Sequence, residues 1–364
     1  MIDLRLESVR RQATRVRSGD LESLAALVDP APAVLICDPE VRRLHGAKFP
    51  PCPVIEVARG EEGKSFASYV SVMESFSKFT VDRGWTVVAV GGGAVLDLAG
   101  FAAATWLRGV DAVFVPSTLL AMVDASVGGK NGLDLGGRKN QVGAFRPPRE
   151  VLVDVSLLDT LSDAEFASGM AEALKHGVIE GGDHFAFLEG LGAGRRSGTP
   201  RPGGAALGEL VGRSLACKAR YVEADPFEEL PAEAPLSRRV LNLGHTIGHA
   251  LESAAGLRHG HAVAAGLASI CRFQASRGAF PTGDAERIAR LLASFGLPAS
   301  VAEAAALAGS DDGPAFRSRV ADALAADKKR DGSDVLVALP CAIGAVRVGR
   351  VELAELSRFV MEAP

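Results

Sequence analysis

The sequence predicts an α/β N-terminal domain built on a parallel sheet, followed by a mostly α-helical C-terminal domain. Three observations carry this. Over roughly the first 150 residues, short and almost wholly apolar runs alternate with helical stretches, the pattern of strands covered on both faces. Beyond about residue 155, helical periodicity dominates, alanine is abundant and β-branched runs are few. The chain has 364 residues, too long for one ordinary core and suited to about two domains. The expected division is 1–155 and 156–364, with a cleft between the two as the natural ligand site.

The elements follow in order. "AVLICD" (33–38) is short, apolar and ends at Asp38. A second strand begins at Thr86, breaks at Gly91-Gly92-Gly93 and continues with helical spacing. "AVFVPSTLLAMV" (112–123) is a buried strand running into a turn at Pro116, and "EVLVD" (150–154) is a fourth strand. Helical patterns then occupy 162–180, 205–224, 239–256, 260–278, 284–295 and 351–361. "DVLVALP" (334–340) reads as one edge of a hairpin. Two Gly/Pro-rich stretches, 190–205 and 229–237, read as surface loops.

Composition excludes several classes. With 48% hydrophobic and 23% charged residues the chain is neither disordered nor fibrous. The net charge of −4, with no basic run interleaved with aromatics, gives no sign of a nucleic-acid partner. It leaves an anionic small molecule open, because binding follows local charge. No segment approaches the roughly 20 apolar residues that span a bilayer, so no membrane partner is expected. The N-terminus lacks an apolar signal core, and Asp3, Glu7 and Asp20 argue against a transit peptide. Cys37, Cys52, Cys217, Cys271 and Cys341 are scattered and form no CxxC, which fits a reducing cytoplasm.

Four stretches carry chemistry. In "GGGAVLDLAG" (91–100), three glycines between a strand and a helix let the backbone approach a pyrophosphate, with free helix N–H groups to receive it. The spacing is not GxGxxG, and a tight strand-to-helix turn needs the same glycines. "GEEGK" (60–64) and Asp38 could add polar contacts to a nucleotide. "MVDASVGGKNGLDLGGRKNQVGAF" (122–145) sets Asp124, Lys130, Lys139 and Asn140 among glycines in a mobile-looking stretch. Ammonium groups there suit a phosphorylated ligand. In "SGMAEALKHGVIE" (168–180), Glu172 and Lys175 are three apart and share a helix face, as an ordinary surface ion pair also would. Finally, "LNLGHTIGHALE" (241–252) places His245 and His249 one helical turn apart, with His259 and His261 soon after. Four of the seven histidines thus fall within 245–261. Imidazoles plus one carboxylate are the ligand set of a catalytic zinc with an open position. The spacing alone leaves open a metal centre, an acid/base pair and a polar helix face; HExxH is absent because residue 246 is Thr.

Taken in this order, the motifs resemble the 3-dehydroquinate synthases among the sugar-phosphate cyclases, from about residue 35 to about 345. They are GExxK at 60, GGGxxxDxAGFxAAT at 91, LRG at 107, PSTLLAxVDxSVGGK at 116, KNxxGAF at 139, GxAExxKHG at 169, LNxGHTxGHAxE at 241, HGxAVxxG at 259 and DKK at 327. The resemblance implies Zn²⁺ (or Co²⁺) held by Glu172, His245 and His259, with His249 left to contact the substrate phosphate. It implies NAD bound by Asp38, Glu61, Lys64, Gly92, Gly93, Asp97, Ser117, Thr118, Leu120, Lys139, Thr160, Leu161 and Glu165. Substrate contacts would come from Asp124, Lys130, Asn140, Lys175, Lys218, Arg238, Asn242, His249 and a lysine of 327–329, taken as Lys328. Arg108 would reach the phosphate in a neighbouring subunit, which makes the chain a homodimer.

The implied activity is conversion of 3-deoxy-arabino-heptulosonate 7-phosphate to 3-dehydroquinate and phosphate, by a cytoplasmic lyase of the shikimate pathway that regenerates its NAD. The chain departs from the family pattern in places. Residue 261 is His where HGE is usual, 125 is Ala where serine is common, and 40 is Glu where an asparagine often stands. The loop between Lys218 and Arg238 is longer than usual, and "PLSR" replaces GLR. The alternatives are a cyclase making amino-dehydroquinate, valiolone or deoxyinosose rings, and a non-catalytic NAD-binding relative. Lys218 and Arg238, a clamp for a substrate carboxylate, favour the heptulosonate over rings that lack one.

Overall fold

The computed structural model describes residues 13–29, 31–195, 199–326, 330–331 and 333–362. The chain divides into two units. The first holds the residues up to Pro116 and Gly129–Asp154; the second holds Ser117–Gly128 and Val155 onward. The short segment 117–128 therefore packs with the later part of the chain, although it lies between two strands of the first unit.

In chain order the first unit contains β1 (Arg15–Ser18), α1 (Leu24–Val28), β2 (Ala33–Cys37), α2 (Pro39–His45), β3 (Val54–Glu56), α3 (Phe66–Lys78), β4 (Thr86–Gly91), α4 (Gly93–Thr105), β5 (Asp111–Pro116), β6 (Lys130–Leu135), β7 (Arg138–Phe145) and β8 (Glu150–Val153). Six strands form one sheet in the order β1-β8-β5-β4-β2-β3, every pair parallel. β2, β4 and β8 are buried at every position, which is why Val, Ile, Leu and Ala dominate them. From β2 the chain moves to β3 on one side and then to β4 on the other, so the strand order reverses between β2 and β4. A crevice opens outside the carboxyl ends of strands at such a point, and open α/β sheets bind ligands there. β2 is followed by Asp38, and β4 by Gly92 and Gly93.

The Gly-rich stretch expected as a mobile loop is ordered differently. Residues 121–125 form one π-type helical turn, and 130–145 form the two-stranded antiparallel hairpin β6–β7. The turn is Gly136-Gly137, both with positive φ (59° and 73°), between the paired Leu135 and Arg138. A Gly-Gly pair at that position is a hairpin signal that a purely compositional reading passes over.

The second unit is mainly helical: α5 (Asp163–Glu180), α6 (Gly182–Gly192), α7 (Gly204–Ala224), α8 (His245–Ala255), α9 (His259–Ser276), α10 (Thr282–Ser294), α11 (Val301–Leu307), α12 (Pro314–Ala325) and α13 (Leu353–Glu362). β9 (Arg330–Asp331), β10 (Asp334–Ala342) and β11 (Ala345–Glu352) add a small antiparallel sheet in the order β11-β10-β9. The helix expected over 239–256 is interrupted: a 3₁₀ turn covers Arg238–Asn242, and α8 starts only at His245. Gly244 makes the break with φ of 80°. α9 is buried almost throughout and lies against α5 and α8. At Gly266 a side chain would collide with the backbone of Gly244 and, at 2.6 Å, with Gly248 N. This glycine-lined crossing lets the two helix backbones touch, and it carries the first residues of α8 and α9 together. Among the described residues, no helix is long and apolar enough to cross a membrane.

Candidate active site

Glu172 on α5, His245 opening α8 and His259 opening α9 turn their donor atoms to one point, all within 4.8 Å of one another. His245 Nε2 lies 3.6 Å and His259 Nε2 3.4 Å from Glu172 Oε1. Glu172 and His245 are buried, and His259 is half-buried. The outer nitrogens are held from behind. His245 Nδ1 donates to Leu243 O at 3.2 Å, and His259 Nδ1 to Glu252 Oε2 at 3.1 Å. Both Nε2 atoms then face the carboxylate, and each offers a cation its lone pair once that nitrogen is free of a proton, the arrangement of metal-bound imidazoles with their outer hydrogen bonds. Neither oxygen of Glu172 accepts a hydrogen bond of good geometry, although Lys175 Nζ touches Oε2. A buried carboxylate in that state with two facing imidazoles fits a divalent cation. His261 belongs to no such cluster among the described residues.

The electrostatics agree with the geometry. Burial pushes Glu172 up, but the charge of Lys175 beside it outweighs this and keeps the carboxyl ionised. Burial keeps His245 neutral, well below the usual imidazole range. Burial lowers His259 too, yet the carboxylates of Glu172 and Glu252 beside it overcome this and raise the group to about 9. Without a metal, a proton thus occupies part of the site.

Beside this cluster lies a second, made of Asp124, Lys175, His176, Lys218 and Arg238. Asp124 sits on the π-type turn, with Lys218 Nζ 2.9 Å, His176 Nε2 3.6 Å and Lys175 Nζ 3.8 Å from Oδ1. Lys218 Nζ also donates to Asp124 O at 2.5 Å. The Glu172–Lys175 pair read as a surface ion pair in the bland case is instead buried on both sides, at 1% and 2% side-chain exposure. Burial works against the charge on Lys175, but Glu172 and Asp124 restore it and raise its pKa. Lys218 goes the other way: burial wins over Asp124, and nearby Lys175 and Arg238 add to the depression. Gly128 (φ 115°) shows how close the cations lie. A Cβ there would meet Arg238 Nη2 at 2.8 Å and Lys218 Cε at 3.6 Å.

In the first unit four of the expected nucleotide contacts, Glu61, Lys64, Asp97 and Lys139, are linked by ion pairs, while Asp38, Gly92 and Gly93 follow the carboxyl ends of β2 and β4. Lys64 Nζ donates to Asp97 Oδ2 at 2.8 Å and to Asn140 Oδ1 at 2.6 Å, and Lys139 Nζ pairs with Glu61 Oε1 at 3.1 Å. Asp38 caps α2, its Oδ1 accepting from Glu40 N at 2.9 Å and Val41 N at 3.0 Å. Gly92 caps α4 without a side chain, so the first N–H groups of a long buried helix face outward at the switch point. Asn140, expected against substrate, thus joins the Lys64–Asp97 group.

The remaining sites are more dispersed. Lys130 is exposed, with Nζ 5.9 Å from the Phe145 ring centre. Arg108 is exposed and follows Leu107 in a strained pair of left-handed residues (φ 67° and 48°). Ser117 is buried; Thr118 Oγ1 accepts from Ala121 N at 3.2 Å, one residue after Leu120. Thr160 Oγ1 donates to Leu157 O at 3.1 Å, Leu161 O accepts from Arg201, and Glu165 pairs with Arg258 at 3.0 Å. Asn242 is half-buried at the end of the 3₁₀ turn. His249 is exposed, its ring 5.2 Å from that of His245. Lys328 lies outside the described residues. Two residues escaped the motif reading of roles: Glu252, which orients His259, and His176, fully buried beside Asp124. Both stand inside quoted motifs, at positions where spacing assigns no function.

Two family models match the chain: 3-dehydroquinate synthase N-terminal over residues 54–168, and 3-dehydroquinate synthase C-terminal over 169–330. The 3-dehydroquinate synthase of Pyrobaculum neutrophilum is 38% identical over 315 residues, 86% of each chain. That of Caulobacter vibrioides is 41% identical over 318 residues, 85% of this chain and 80% of the relative. Among solved structures, 2-epi-5-epi-valiolone synthase from Streptomyces hygroscopicus subsp. jinggangensis 5008, with NAD⁺ and Zn²⁺ bound, aligns with a TM-score of 0.83 at 25% identity over 98% of both chains. A 2-deoxy-scyllo-inosose synthase complexed with carbaglucose-6-phosphate, NAD⁺ and Co²⁺ aligns with a TM-score of 0.78 at 23% identity over 96% of both chains.

Proposed function

The chain belongs to the 3-dehydroquinate synthase family, and we propose that it converts 3-deoxy-arabino-heptulosonate 7-phosphate to 3-dehydroquinate and phosphate as a phosphate-eliminating lyase with catalytic NAD. The observation that carries the reading is the pairing of the Glu172–His245–His259 cluster with the four-residue group Asp124, Lys175, Lys218 and Arg238. One set suits a cation and its hydroxyl ligands. The other suits an anionic sugar acid.

Glu172, His245 and His259 would hold the metal ion. Asp38, Glu61, Lys64, Gly92, Gly93, Asp97, Ser117, Thr118, Leu120, Lys139, Thr160, Leu161 and Glu165 would bind NAD. When bound, NAD⁺ supplies a transient oxidation and the metal ion a Lewis acid at the same carbon. The protein's own groups orient the sugar and manage its charge. Lys175, kept protonated by Glu172 and Asp124, donates from Nζ to an oxygen that turns negative beside it. Lys218 and Arg238 receive the carboxylate, one as a point charge and one as a planar fork. An arriving carboxylate raises the depressed pKa of Lys218, so binding and protonation of Nζ reinforce one another. His249, Lys130, Asn140, Asn242 and Lys328 complete the polar surround, with Arg108 serving the phosphate of a second copy in a cytoplasmic homodimer.

The structural similarity to a valiolone synthase favours a second reading, a cyclase for sugars without the carboxylate. Lys218 and Arg238 weigh against it, since both are buried and border Gly128 together, a pair of cations suited to a carboxylate that those sugars lack. The test is phosphate release from 3-deoxy-arabino-heptulosonate 7-phosphate, sedoheptulose 7-phosphate and glucose 6-phosphate in parallel. The heptulosonate should react alone, without net NADH, lose activity to a chelator and regain it with Zn²⁺ or Co²⁺. Reaction of either other sugar with the heptulosonate inert would replace this reading by the second.

A further inference from the structure

The loop joining α7 to the Arg238–Asn242 turn hangs on one buried carboxylate. Asp225, 2% exposed, follows the last residue of α7. Its Oδ1 accepts the backbone N–H of Glu229 at 2.8 Å and of Leu230 at 3.1 Å, and its Oδ2 accepts that of Arg238 at 3.0 Å. One side chain therefore ties the beginning of the loop to the residue that ends it. Phe227 and Leu236 of this loop are exposed, at 48% and 41%.

The two arginines at the loop's end face different tasks. Arg239 braces the loop, donating to Leu230 O at 2.9 Å and Glu228 O at 3.1 Å. Arg238 is buried, donating to Pro226 O at 2.8 Å and Gly128 O at 3.3 Å, on the same backbone point that Lys218 borders. The position of its guanidinium depends on a backbone held by Asp225.

We propose that Asp225 is a positioning residue that, acting through Arg238, sets how well the enzyme distinguishes a carboxylated sugar phosphate from one without the carboxylate. This rests on the dehydroquinate synthase reading for the identity of the carboxylated substrate. Asp225→Asn keeps the size and two of the three acceptor contacts, but its amide NH₂ would meet the N–H of Arg238, donor against donor. It should raise KM for the heptulosonate about tenfold, equal to about 1.4 kcal/mol, and change kcat less than about threefold. In an Arg238→Ala background the same substitution should cost nothing further, because it acts through the missing group. Equal losses in both backgrounds would reduce Asp225 to a structural residue and overturn the proposal.

A second measurement needs no variant and no substrate. In the wild-type protein the amides of Glu229, Leu230 and Arg238 should exchange with deuterium on the order of 100-fold more slowly than exposed loop amides. Fast exchange at all three sinks the positioning role whatever the substrate. Slow exchange in an enzyme that leaves the heptulosonate untouched refutes the functional reading instead.

Discussion

Glu252→Gln tests the metal centre through a residue that is not itself expected to touch the metal. Glu252 Oε2 accepts from His259 Nδ1 at 3.1 Å, which fixes the ring and raises its basicity. Glu172 and Glu252 together lift His259 to about 9 against its burial. At pH 8 such a group is about nine-tenths protonated, whereas an ordinary imidazole near 6.5 is only a few hundredths protonated. The cation and this proton compete for Nε2. Binding of Zn²⁺ at pH 8 should therefore release close to one proton, and affinity should rise about tenfold per pH unit between roughly 6.5 and 9. The sign for stability runs opposite in the two forms. In chelated protein the raised His259 contributes stability that is complete below 6.5 and lost as pH rises through about 9. In loaded protein the metal's contribution grows over the same window. About a third of the His259 side chain reaches solvent, so the stability term in chelated protein is small. Glu252→Gln removes one of the two carboxylates. It should weaken Zn²⁺ binding about 10- to 100-fold and cut the proton release at pH 8. Calorimetric titration in two buffers of different ionisation enthalpy measures both quantities. A pH-independent affinity in the wild type, or a Glu252→Gln variant with unchanged affinity and proton release, would refute the assignment of His259 as ligand.

Three further outcomes follow from the same geometry. Gly266→Ala places a Cβ against Gly244 and Gly248, so it should destabilise the protein by about 1–3 kcal/mol and weaken Zn²⁺ binding, while Gly212→Ala on α7, with open space around it, should leave Zn²⁺ binding unchanged and stability equal or up to about 1 kcal/mol higher; thermal melts with and without metal compare them. Arg238→Ala should raise KM for the heptulosonate about ten- to a hundredfold, whereas Arg239→Ala should chiefly speed amide exchange in the 226–237 loop, and steady-state kinetics beside exchange mapping will show whether the arginines have these separate roles. Lys64→Ala removes the ammonium group that Asp97 and Asn140 share, so NAD⁺ affinity should fall about tenfold with the Zn²⁺ affinity intact, and a parallel loss of both ligands would count against the placement of Lys64 in a nucleotide site.

What the sequence revealed and what it hid follow from how far each interaction reaches along the chain. Buried parallel strands declare themselves, because β2 and β4 are buried along their whole length and so are almost wholly apolar. The ends of two such strands, at Asp38 and the glycine triplet, were legible for the same reason, whereas the strand order that makes a switch point of them is set by pairings distant in sequence. The hairpin β6–β7 was hidden by its composition, since a glycine-rich run reads as a loop until Gly136-Gly137 is taken as a two-residue turn. The metal cluster was half visible. The i, i+4 spacing of His245 and His249 suggests a shared face, yet the second imidazole set against Glu172 comes from His259, on the next helix. What pairs them is the glycine-lined crossing of α8 and α9, a close approach that no helical periodicity encodes. The break at Gly244 was lost in a pattern that stays amphipathic across it. Its consequence is functional: by starting α8 at His245, it leaves Leu243 O to accept from the His245 ring and fixes which nitrogen faces Glu172. The same residue thus ends one element, seats another helix against it and orients a metal ligand. That convergence explains why a glycine there is a requirement of the site as much as of the fold.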